Sequence, residues 1–396
     1  MNIKFADRIS SLQPSAIREI LKVTQDPSVI SFAAGNPSPE SFPVNDMARI
    51  AADLFKNHSA TALQYGVSEG YGPLRELTAK RMKEKYGVGK SSDDLIITSG
   101  GQQVIEIAAK ILVNEGDTVL CEAPSFVGAL NAFRSYKANL VGIPMDEHGM
   151  DVDVLETMLK TQPNVKLIYT IPTFQNPSGC TMTLARRKRL LELAEQYNVM
   201  ILEDSPYFEL RYTGEDIQTI KSMDETGRVI FSGSFSKVLS PGMRIGFVCA
   251  HQDIIAKMTV CKQVSDVHTN LFFQMLCAEY LSQCDIDAHI ASIRKLYFER
   301  MTVMADAMEQ SFAGRARFQR PEGGLFLWCA LPEGYDGMEF CRRAGQYKVA
   351  AVPGASFSVN EKEIVPTFRL NFSLADNDTI RRGIELMAQA LADYVK

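Results

Sequence analysis

Short apolar runs alternate with longer amphipathic stretches between about residues 94 and 250, and this alternation constrains the fold more than any other feature. The runs cover residues 94–98, 118–121, 165–169, 199–202, 229–231 and 245–248. They are continuously apolar rather than alternating, which is typical of strands covered on both faces. Helical patterns, notably residues 102–114 and 184–197, lie between them. The pattern predicts an α/β fold with a mostly parallel sheet.

The pattern changes after residue 260. A long helical tract at about 285–312 precedes strand-like segments at 325–328 and 367–370, and an amphipathic helix follows at about 378–394. This order predicts a smaller α+β domain, which we expect the N-terminal segment to join. One hydrophobic core seldom spans 396 residues. We therefore expect an N-terminal segment 1–45 in the small domain, a large domain 46–290 and a C-terminal part of the small domain 291–396.

Composition argues against several classes of partner. Lys and Arg number 42 against 47 Asp and Glu, and no basic tract occurs, so we expect no nucleic-acid binding. No apolar run approaches the roughly 20 residues of a membrane helix, and the N-terminus lacks a signal-peptide core. The eight Cys show no C-x-x-C pair, and the five His show no metal spacing. We expect a cytoplasmic protein with reduced thiols and no metal site.

Polar side chains follow four of the predicted strands. In open α/β sheets, ligands bind beyond the carboxyl ends of the strands, so these residues are expected to meet. The segments are Ser99-Gly100-Gly101-Gln102, then Asn176-Pro177-Ser178-Gly179, then Asp204-Ser205-Pro206-Tyr207, and finally Ser234-Phe235-Ser236-Lys237 with Arg244 beyond it. Each segment also has an ordinary structural explanation. In the same order, these are a tight turn, a turn initiator, a helix cap and a surface lysine.

Together these segments supply what one cofactor, pyridoxal 5′-phosphate, requires. It needs a lysine for a Schiff base, a carboxylate against its pyridinium nitrogen and donors around its phosphate. Glycines at a helix start favour a phosphate. Lys237 lies between apolar Phe235 and Val238, and burial would lower its pKa and free its amine to attack a carbonyl.

The order of these motifs resembles the fold-type I aminotransferases of class I/II. The resemblance runs from Gly35-Asn36-Pro37 to Arg369 and includes Gln64-Tyr65-Gly66. The sequence around Ala16-Ile17-Arg18-Glu19-Ile20 and Asp266-Val267-His268-Thr269 most resembles the 2-aminoadipate and kynurenine aminotransferase branch. The resemblance implies a large pyridoxal-phosphate domain with a mostly parallel seven-stranded sheet flanked by helices. It implies a smaller α+β domain from the N- and C-terminal segments.

The resemblance assigns catalytic roles to four residues. Lys237 would form the Schiff base and then act as the acid–base group at the reacting carbons. Asp204 would keep the ring nitrogen protonated through a charge-assisted hydrogen bond. Asn176 and Tyr207 would donate to the ring's 3′-oxygen.

The resemblance also supplies the remaining cofactor contacts. Phe126 would stack on the ring, where many relatives carry a tyrosine or tryptophan. The phosphate would be held by residues of the first and last motifs, namely Gly100, Gly101, Gln102, Ser234, Ser236 and Arg244. Tyr65 would reach the phosphate of the neighbouring subunit, which implies a homodimer with a shared active site. The alternative for Tyr65 is an ordinary, partly buried tyrosine.

Substrate recognition is implied for Arg369 and Arg18. Arg369, in an apolar strand, needs an anionic partner if buried, and it would clamp the substrate α-carboxylate with the Gly35 backbone and Asn176. Arg18 would meet a side-chain carboxylate under a mobile N-terminal segment. Arg18 is equally well explained as a solvated charge on a short helix.

Three rival functions are weighed against this one. Ser234 to Lys237 also fits S-x-x-K, but the S-D-N and K-T-G elements of penicillin-binding enzymes are missing. A DNA-binding regulator needs an extra N-terminal domain, and the catalytic pattern begins by Gly35. A pyridoxal-phosphate lyase or decarboxylase of the same fold shares the Asn, Asp, Tyr, Lys and Arg set and stays open.

The expected activity is transamination by a ping-pong cycle. An L-amino acid of 2-aminoadipate, aromatic or branched-chain type would give its amine to the cofactor and leave as the 2-oxo acid. A second oxo acid, 2-oxoglutarate, would collect the amine. We expect broad specificity, because a flexible N-terminal segment can adapt to different side chains.

Overall fold

Three sheets organise the part of the chain that this computed structural model describes, residues 3–10, 26–360 and 362–395. In chain order the strands are β1 (Ile30–Ser31), β2 (Asp93–Thr98), β3 (Thr118–Ala123), β4 (Asn139–Asp146), β5 (Gly149–Met150), β6 (Val165–Thr170), β7 (Met200–Asp204), β8 (Val229–Ser234), β9 (Gly246–His251), β10 (Arg317–Phe318), β11 (Phe326–Ala330), β12 (Val349–Ala350), β13 (Val352–Pro353) and β14 (Thr367–Asn371). All six apolar runs identified in the sequence form strands.

The largest sheet has the order β2-β9-β8-β7-β6-β3-β4-β5. Five adjacent strands of this sheet, β4, β3, β6, β7 and β8, run parallel to one another. The predicted mostly parallel sheet is therefore confirmed, with eight strands rather than seven. The additional strand is β5, a two-residue edge strand antiparallel to β4. The apolar runs did not reveal β4, because Gly142 and Pro144 interrupt it and all but one of its residues are exposed or only partly buried.

One long strand of this sheet runs against its neighbours. β9 pairs antiparallel with both β8 and β2. The connection from β8 to β9, residues 235–245, contains only a short 3₁₀ turn at Pro241–Met243. A parallel pair needs a crossover of a dozen or more residues, usually through a helix, so this short connection returns the chain antiparallel. The connection places Lys237 and Arg244 at the carboxyl end of β8.

Helices cover both faces of the large sheet. The α-helices of the described residues are Asp7–Ser10, Val44–Asn57, Ser59–Ala62, Gly72–Tyr86, Gly101–Leu112, Val127–Ser135, Val152–Thr161, Leu184–Gln196, Ile220–Met223, Gln252–Ser265, Leu271–Gln283, Ile286–Ser311, Gly337–Gln346 and Asn377–Tyr394. Side-chain caps set several starts: Asp285 accepts from two backbone N–H groups of the longest helix, and Thr183 caps Leu184–Gln196. None of these helices is both long and apolar enough to cross a membrane.

Alternate side chains of the central strands enter different apolar cores. In β6, Leu167 and Tyr169 pack with the helix Gly101–Leu112, whereas Ile168 packs on the opposite side with Leu190. All four side chains are buried. Burial on both faces explains why the runs are continuously apolar.

A smaller antiparallel sheet is formed by strands between residues 317 and 371, in the order β10-β11-β14-β13. β1, from the N-terminal part, pairs in parallel with β12. The helices Ile286–Ser311 and Asn377–Tyr394 pack against each other beside this sheet. The structure thus has a smaller α+β domain to which N-terminal residues contribute, as predicted. The boundaries at 45 and 290 remain predictions.

Candidate active site

A cavity of about 390 Å³ opens where the carboxyl ends of the large sheet face the smaller one. β7 ends at Asp204 and β8 ends at Ser234, so both side chains reach it directly. β14 contributes Arg369 from the other sheet. Most of the predicted site residues line this one cavity: Gly35, Gly101, Gln102, Phe126, Asn176, Asp204, Tyr207, Ser234, Ser236, Lys237, Arg244 and Arg369.

Two of the predicted positions that the structure describes, Gly100 and Tyr65, are not in the lining. Gly100 lies immediately behind it, because a Cβ there would lie only 2.2 Å from Nη2 of Arg244. Tyr65 is 80% exposed, and its ring lies edge-on to His268 at 5.8 Å. Arg18 lies outside the described residues.

Lys237 points its amine into the cavity. Its Nζ donates to the carbonyl oxygen of Gly35 at 2.8 Å. Burial, together with the positive charges of Arg369 and Arg244, lowers the pKa of Lys237 to about 8. The neutral fraction of this amine near neutral pH is therefore far larger than that of an ordinary lysine, and the neutral form is the nucleophile.

Asp204 is a buried acid with one clear hydrogen-bond donor. Tyr169, on the neighbouring strand β6, donates its hydroxyl to Oδ2 of Asp204 at 2.9 Å. Burial raises the pKa of Asp204 to about 6, and the bond from Tyr169 opposes that rise. A cationic N–H donor placed in the cavity would stabilise the ionised form of Asp204.

The turn between β2 and the helix Gly101–Leu112 forms the anion-binding end of the cavity. Gly100 has a positive φ of 79°, a conformation that costs a residue with a side chain more than it costs glycine. The first N–H groups of the helix have no intrahelical partner and offer a site for an anion. Ser234 and Ser236 line the same cavity, and Nη2 of Arg244 donates to the carbonyl oxygen of Ser99 at 3.3 Å.

Arg369 is a buried cation held by neutral groups. Its Nη1 donates to Oδ1 of Asn176 and its Nη2 donates to the carbonyl oxygen of Ala33, each at 2.7 Å. Phe326 and Phe357 lie against the guanidinium, with ring centroids 4.1 and 4.9 Å from Cζ. Nε has no hydrogen-bond partner among the described residues. Burial lowers the pKa of Arg369 to about 10. An anionic ligand would supply the missing charge.

Several functional neighbours escaped the sequence reasoning. Tyr169 was identified only as part of a strand, and no local signal shows that it pairs with Asp204. Phe326 lies in a predicted strand, but its position over Arg369 depends on sheet pairing. The other additional lining residues are apolar: Ile105, Val127, Ile171, Pro206 and Pro241. Pro206 lies inside the Asp204–Tyr207 motif, which is a signal that could have identified it.

The donor set fits pyridoxal 5′-phosphate. One end of the cavity offers serines, an arginine and a helix start for a phosphate, and Asp204 offers an acceptor for a pyridinium N–H. Apolar and aromatic walls fit a flat ring between them. In the described residues, no group of three His, Cys, Asp or Glu side chains could hold a metal ion. The fold and the site therefore define a pyridoxal-phosphate enzyme.

Comparisons with known proteins support this class of enzyme. The family described as aminotransferase class I and II matches residues 27–386. The aromatic-amino-acid aminotransferase 1 of Thermococcus litoralis is 42% identical over 99% of this chain and 95% of its own length. The kynurenine aminotransferase of Pyrococcus horikoshii, solved with PMP, has a TM-score of 0.95 at 40% identity, covering 99% of this chain and 98% of that chain.

A third relative bears on the cofactor. The α-aminoadipate aminotransferase of Thermus thermophilus, complexed with N-(5′-phosphopyridoxyl)-L-leucine, has a TM-score of 0.91 at 35% identity, over 98% of this chain and 97% of that chain. The chain belongs to the class I and II aminotransferases, and its cofactor is pyridoxal 5′-phosphate. Of the two activities that the motifs left open, aminotransferase is therefore the one supported.

The Tyr169–Asp204 bond makes a prediction about pH. Asp204 must be ionised to accept a pyridinium N–H, so cofactor affinity should fall as the pH drops through about 6. Tyr169→Phe removes a donor to the ionised form and should raise this apparent pKa by about one unit. The measurement is the dissociation constant of pyridoxal 5′-phosphate from pH 5 to 8. Tyr136→Phe, which removes a hydroxyl bound to Glu106, is the control. Superimposable profiles for both variants would contradict the role of Tyr169.

Proposed function

We propose that this enzyme transfers the amino group of an L-amino acid to 2-oxoglutarate in a ping-pong cycle. The observation that carries the proposal is the convergence of three groups on one cavity: the amine of Lys237, the carboxyl of Asp204 and the guanidinium of Arg369. The first two fit the reactive aldehyde and the ring nitrogen of the cofactor. The third fits a carboxylate, which every amino-acid and oxo-acid substrate carries.

We assign the proton transfer to Lys237. When bound, pyridoxal phosphate supplies an aldehyde that condenses with amines and a ring that stabilises the electron pair left at the substrate Cα. With its pKa lowered to about 8, the Lys237 amine can take the proton from Cα and return it within the same site. The bond to the Gly35 carbonyl keeps the amine beside the predicted substrate position.

Four further side chains would hold the ring in our assignment. Asp204 accepts from the ring nitrogen and keeps it protonated, supported by the hydroxyl of Tyr169. Asn176 and Tyr207 donate to the 3′-oxygen. Phe126 stacks on the ring and excludes water from one face.

The phosphate is assigned to the turn and the β8–β9 connection. The N–H groups of Gly101 and Gln102 and the hydroxyls of Ser234 and Ser236 provide neutral donors. Arg244 provides a charged fork that can bind two phosphate oxygens. Gly100 permits the close approach of Arg244 to this turn.

Arg369 would bind the substrate α-carboxylate, with the Gly35 backbone and Asn176 beside it. A fixed guanidinium between two aromatic rings has little freedom, so it orients the carboxylate and with it Cα. The relatives named above act on aromatic, kynurenine and 2-aminoadipate donors. We infer a similar range here, together with branched-chain donors, and we propose that Arg18 recognises acidic side chains.

We also propose a homodimer. Exposed apolar side chains occur at Leu63 and Val67 beside Tyr65, at Val267 beside His268, and at Val260 and Val264 on the helix before it. Segments 63–67 and 267–271 touch, since a Cβ at Gly66 would lie 3.5 Å from Leu271. A patch of this kind marks an association surface, and a second copy would bring Tyr65 to the neighbouring phosphate.

We propose a cytoplasmic location and the domain division 1–45, 46–290 and 291–396. All eight cysteines are free thiols in the structure, which suits a reducing compartment. The pairing of β1 with β12 supports placing the N-terminal segment with the C-terminal domain.

Chemical trapping and substitution of Lys237 test the proposed reaction. Borohydride should fix the cofactor to Lys237 and abolish the yellow colour. Lys237→Ala should bind the cofactor yet lose at least about 100-fold in turnover, because the proton acceptor is missing. Glutamate formation is the measurement, and Lys188→Ala, on an exposed helix face, is the control. Label on another lysine, or near-normal turnover in Lys237→Ala, would remove the mechanism.

A donor panel tests the substrate assignments. With 2-oxoglutarate as acceptor, Arg369→Lys should raise KM for 2-aminoadipate, phenylalanine and leucine alike, by about tenfold, because all share the α-carboxylate. Arg18→Ala should impair 2-aminoadipate more than leucine. A loss confined to 2-aminoadipate in Arg369→Lys would show that Arg369 recognises the side chain instead.

Sedimentation equilibrium tests the dimer. Leu63→Glu should shift the protein towards monomer, because a carboxylate would be buried in the association surface. Ile364→Glu changes an equally exposed apolar residue outside that surface and should leave the mass unchanged. A wild-type protein that sediments as a monomer would refute the dimer and the role given to Tyr65.

A further inference from the structure

A polar network lies behind the turn to which the phosphate is assigned. At its centre is Lys262, whose side chain is fully buried on the helix Gln252–Ser265. Its Nζ lies within 3.0 Å of four oxygens: both carboxylate oxygens of Asp266, Oε1 of Gln103 and Oγ1 of Thr269. A buried ammonium is costly unless it is fully paired, and this one is.

The N–H and the hydroxyl of Ser99 bond to this network, and its carbonyl bonds to Arg244. Oε1 of Gln103 accepts from the Ser99 backbone N–H at 2.8 Å. The Ser99 hydroxyl donates to Oδ2 of Asp266 at 2.6 Å and lies 3.1 Å from Oγ1 of Thr269. The carbonyl oxygen of Ser99 accepts from Arg244. Ser99 therefore connects the network with both phosphate-binding elements, the glycine turn that follows it and the Arg244 side chain.

The backbone beside the network is strained. Val267 has a φ of 64°, a left-handed conformation that is unusual for a β-branched residue. The N–H groups of Asp266 and Val267 both donate to the carbonyl oxygen of Lys262, and this reversal brings the Asp266 carboxylate back beside the Lys262 ammonium. Strain of this kind persists where the surroundings fix the conformation, and it clusters at functional sites.

We propose that Lys262 and Asp266 are positioning residues for the cofactor phosphate. They act through Gln103, Thr269 and Ser99, which together fix the turn at Gly100 and the carbonyl that orients Arg244. Neither residue touches the cavity. The inference rests on the proposed function, because it takes the turn to be the phosphate site. It adds a specific consequence: loss of the network should weaken the hold on the phosphate and leave the hold on the ring unchanged.

The test compares two ligands that differ only in the phosphate. Apoenzyme is titrated with pyridoxal 5′-phosphate and with pyridoxal. Lys262→Met should raise the dissociation constant of pyridoxal 5′-phosphate about tenfold and that of pyridoxal less than twofold. Lys257→Met, an exposed lysine on the same helix, should change neither. Equal weakening of both ligands by Lys262→Met, or no weakening, would overturn the proposal.

Two more variants separate positioning from net charge and from misfolding. Lys262→Met with Asp266→Asn removes both charges, so a loss that persists reflects positioning, and full recovery of affinity would overturn it. Ser99→Ala keeps the ion pair and should still weaken pyridoxal 5′-phosphate several-fold, with the same selectivity over pyridoxal. If the wild-type enzyme binds both ligands equally, the phosphate assignment itself fails. If the wild-type enzyme prefers pyridoxal 5′-phosphate but the variants weaken both ligands equally, the network proposal alone fails.

Discussion

The site depends on charged groups that the chain buries without neutralising them itself. Lys237 and Arg369 face one cavity and are held by carbonyl and amide oxygens rather than by carboxylates. Asp204 faces the same cavity with a tyrosine hydroxyl as its donor. Each arrangement costs folding free energy, and ligands of opposite charge offset that cost on binding. In our proposal, the cofactor ring and the substrate carboxylate complete an electrostatic arrangement that the fold leaves incomplete.

The large sheet makes this arrangement possible by placing the charges at its carboxyl edge. The central residues of β6 and β7 are apolar and buried, and Asp204, the last residue of β7, presents its carboxyl to the cavity. The antiparallel return from β8 to β9 keeps Lys237 and Arg244 in one short connection. The helix Gln252–Ser265 that follows β9 then supplies Lys262 behind the phosphate turn. One region of chain thus carries Lys237, Arg244 and Lys262, to which we assign the reaction, the phosphate and the support of the phosphate turn.

Sequence reasoning succeeded where a strand or motif carries its own signal. Continuous apolar runs identified the central strands. The polar residues just beyond them drew attention to Asn176, Asp204 and Lys237, which the structure brings to one cavity. It missed β4, whose apolar run is interrupted by Gly142 and Pro144, and the two-residue edge strand β5. It also missed Tyr169, because an inward tyrosine in a strand looks the same whether or not it bonds to a carboxylate. Lys262 looked like any helix lysine, since its burial depends on what packs over the helix.

The sequence by itself determined the fold class and the order of the motifs, because the periodicity of apolar side chains and the chemistry at strand ends are local properties. Only the tertiary structure decided which side chains meet. Arg369 comes from a different sheet than Asp204, and its place over the cavity depends on how β14 and β11 pair and pack. Distances between residues far apart in the chain, and the pKa values that burial produces, arise only once packing excludes water around them.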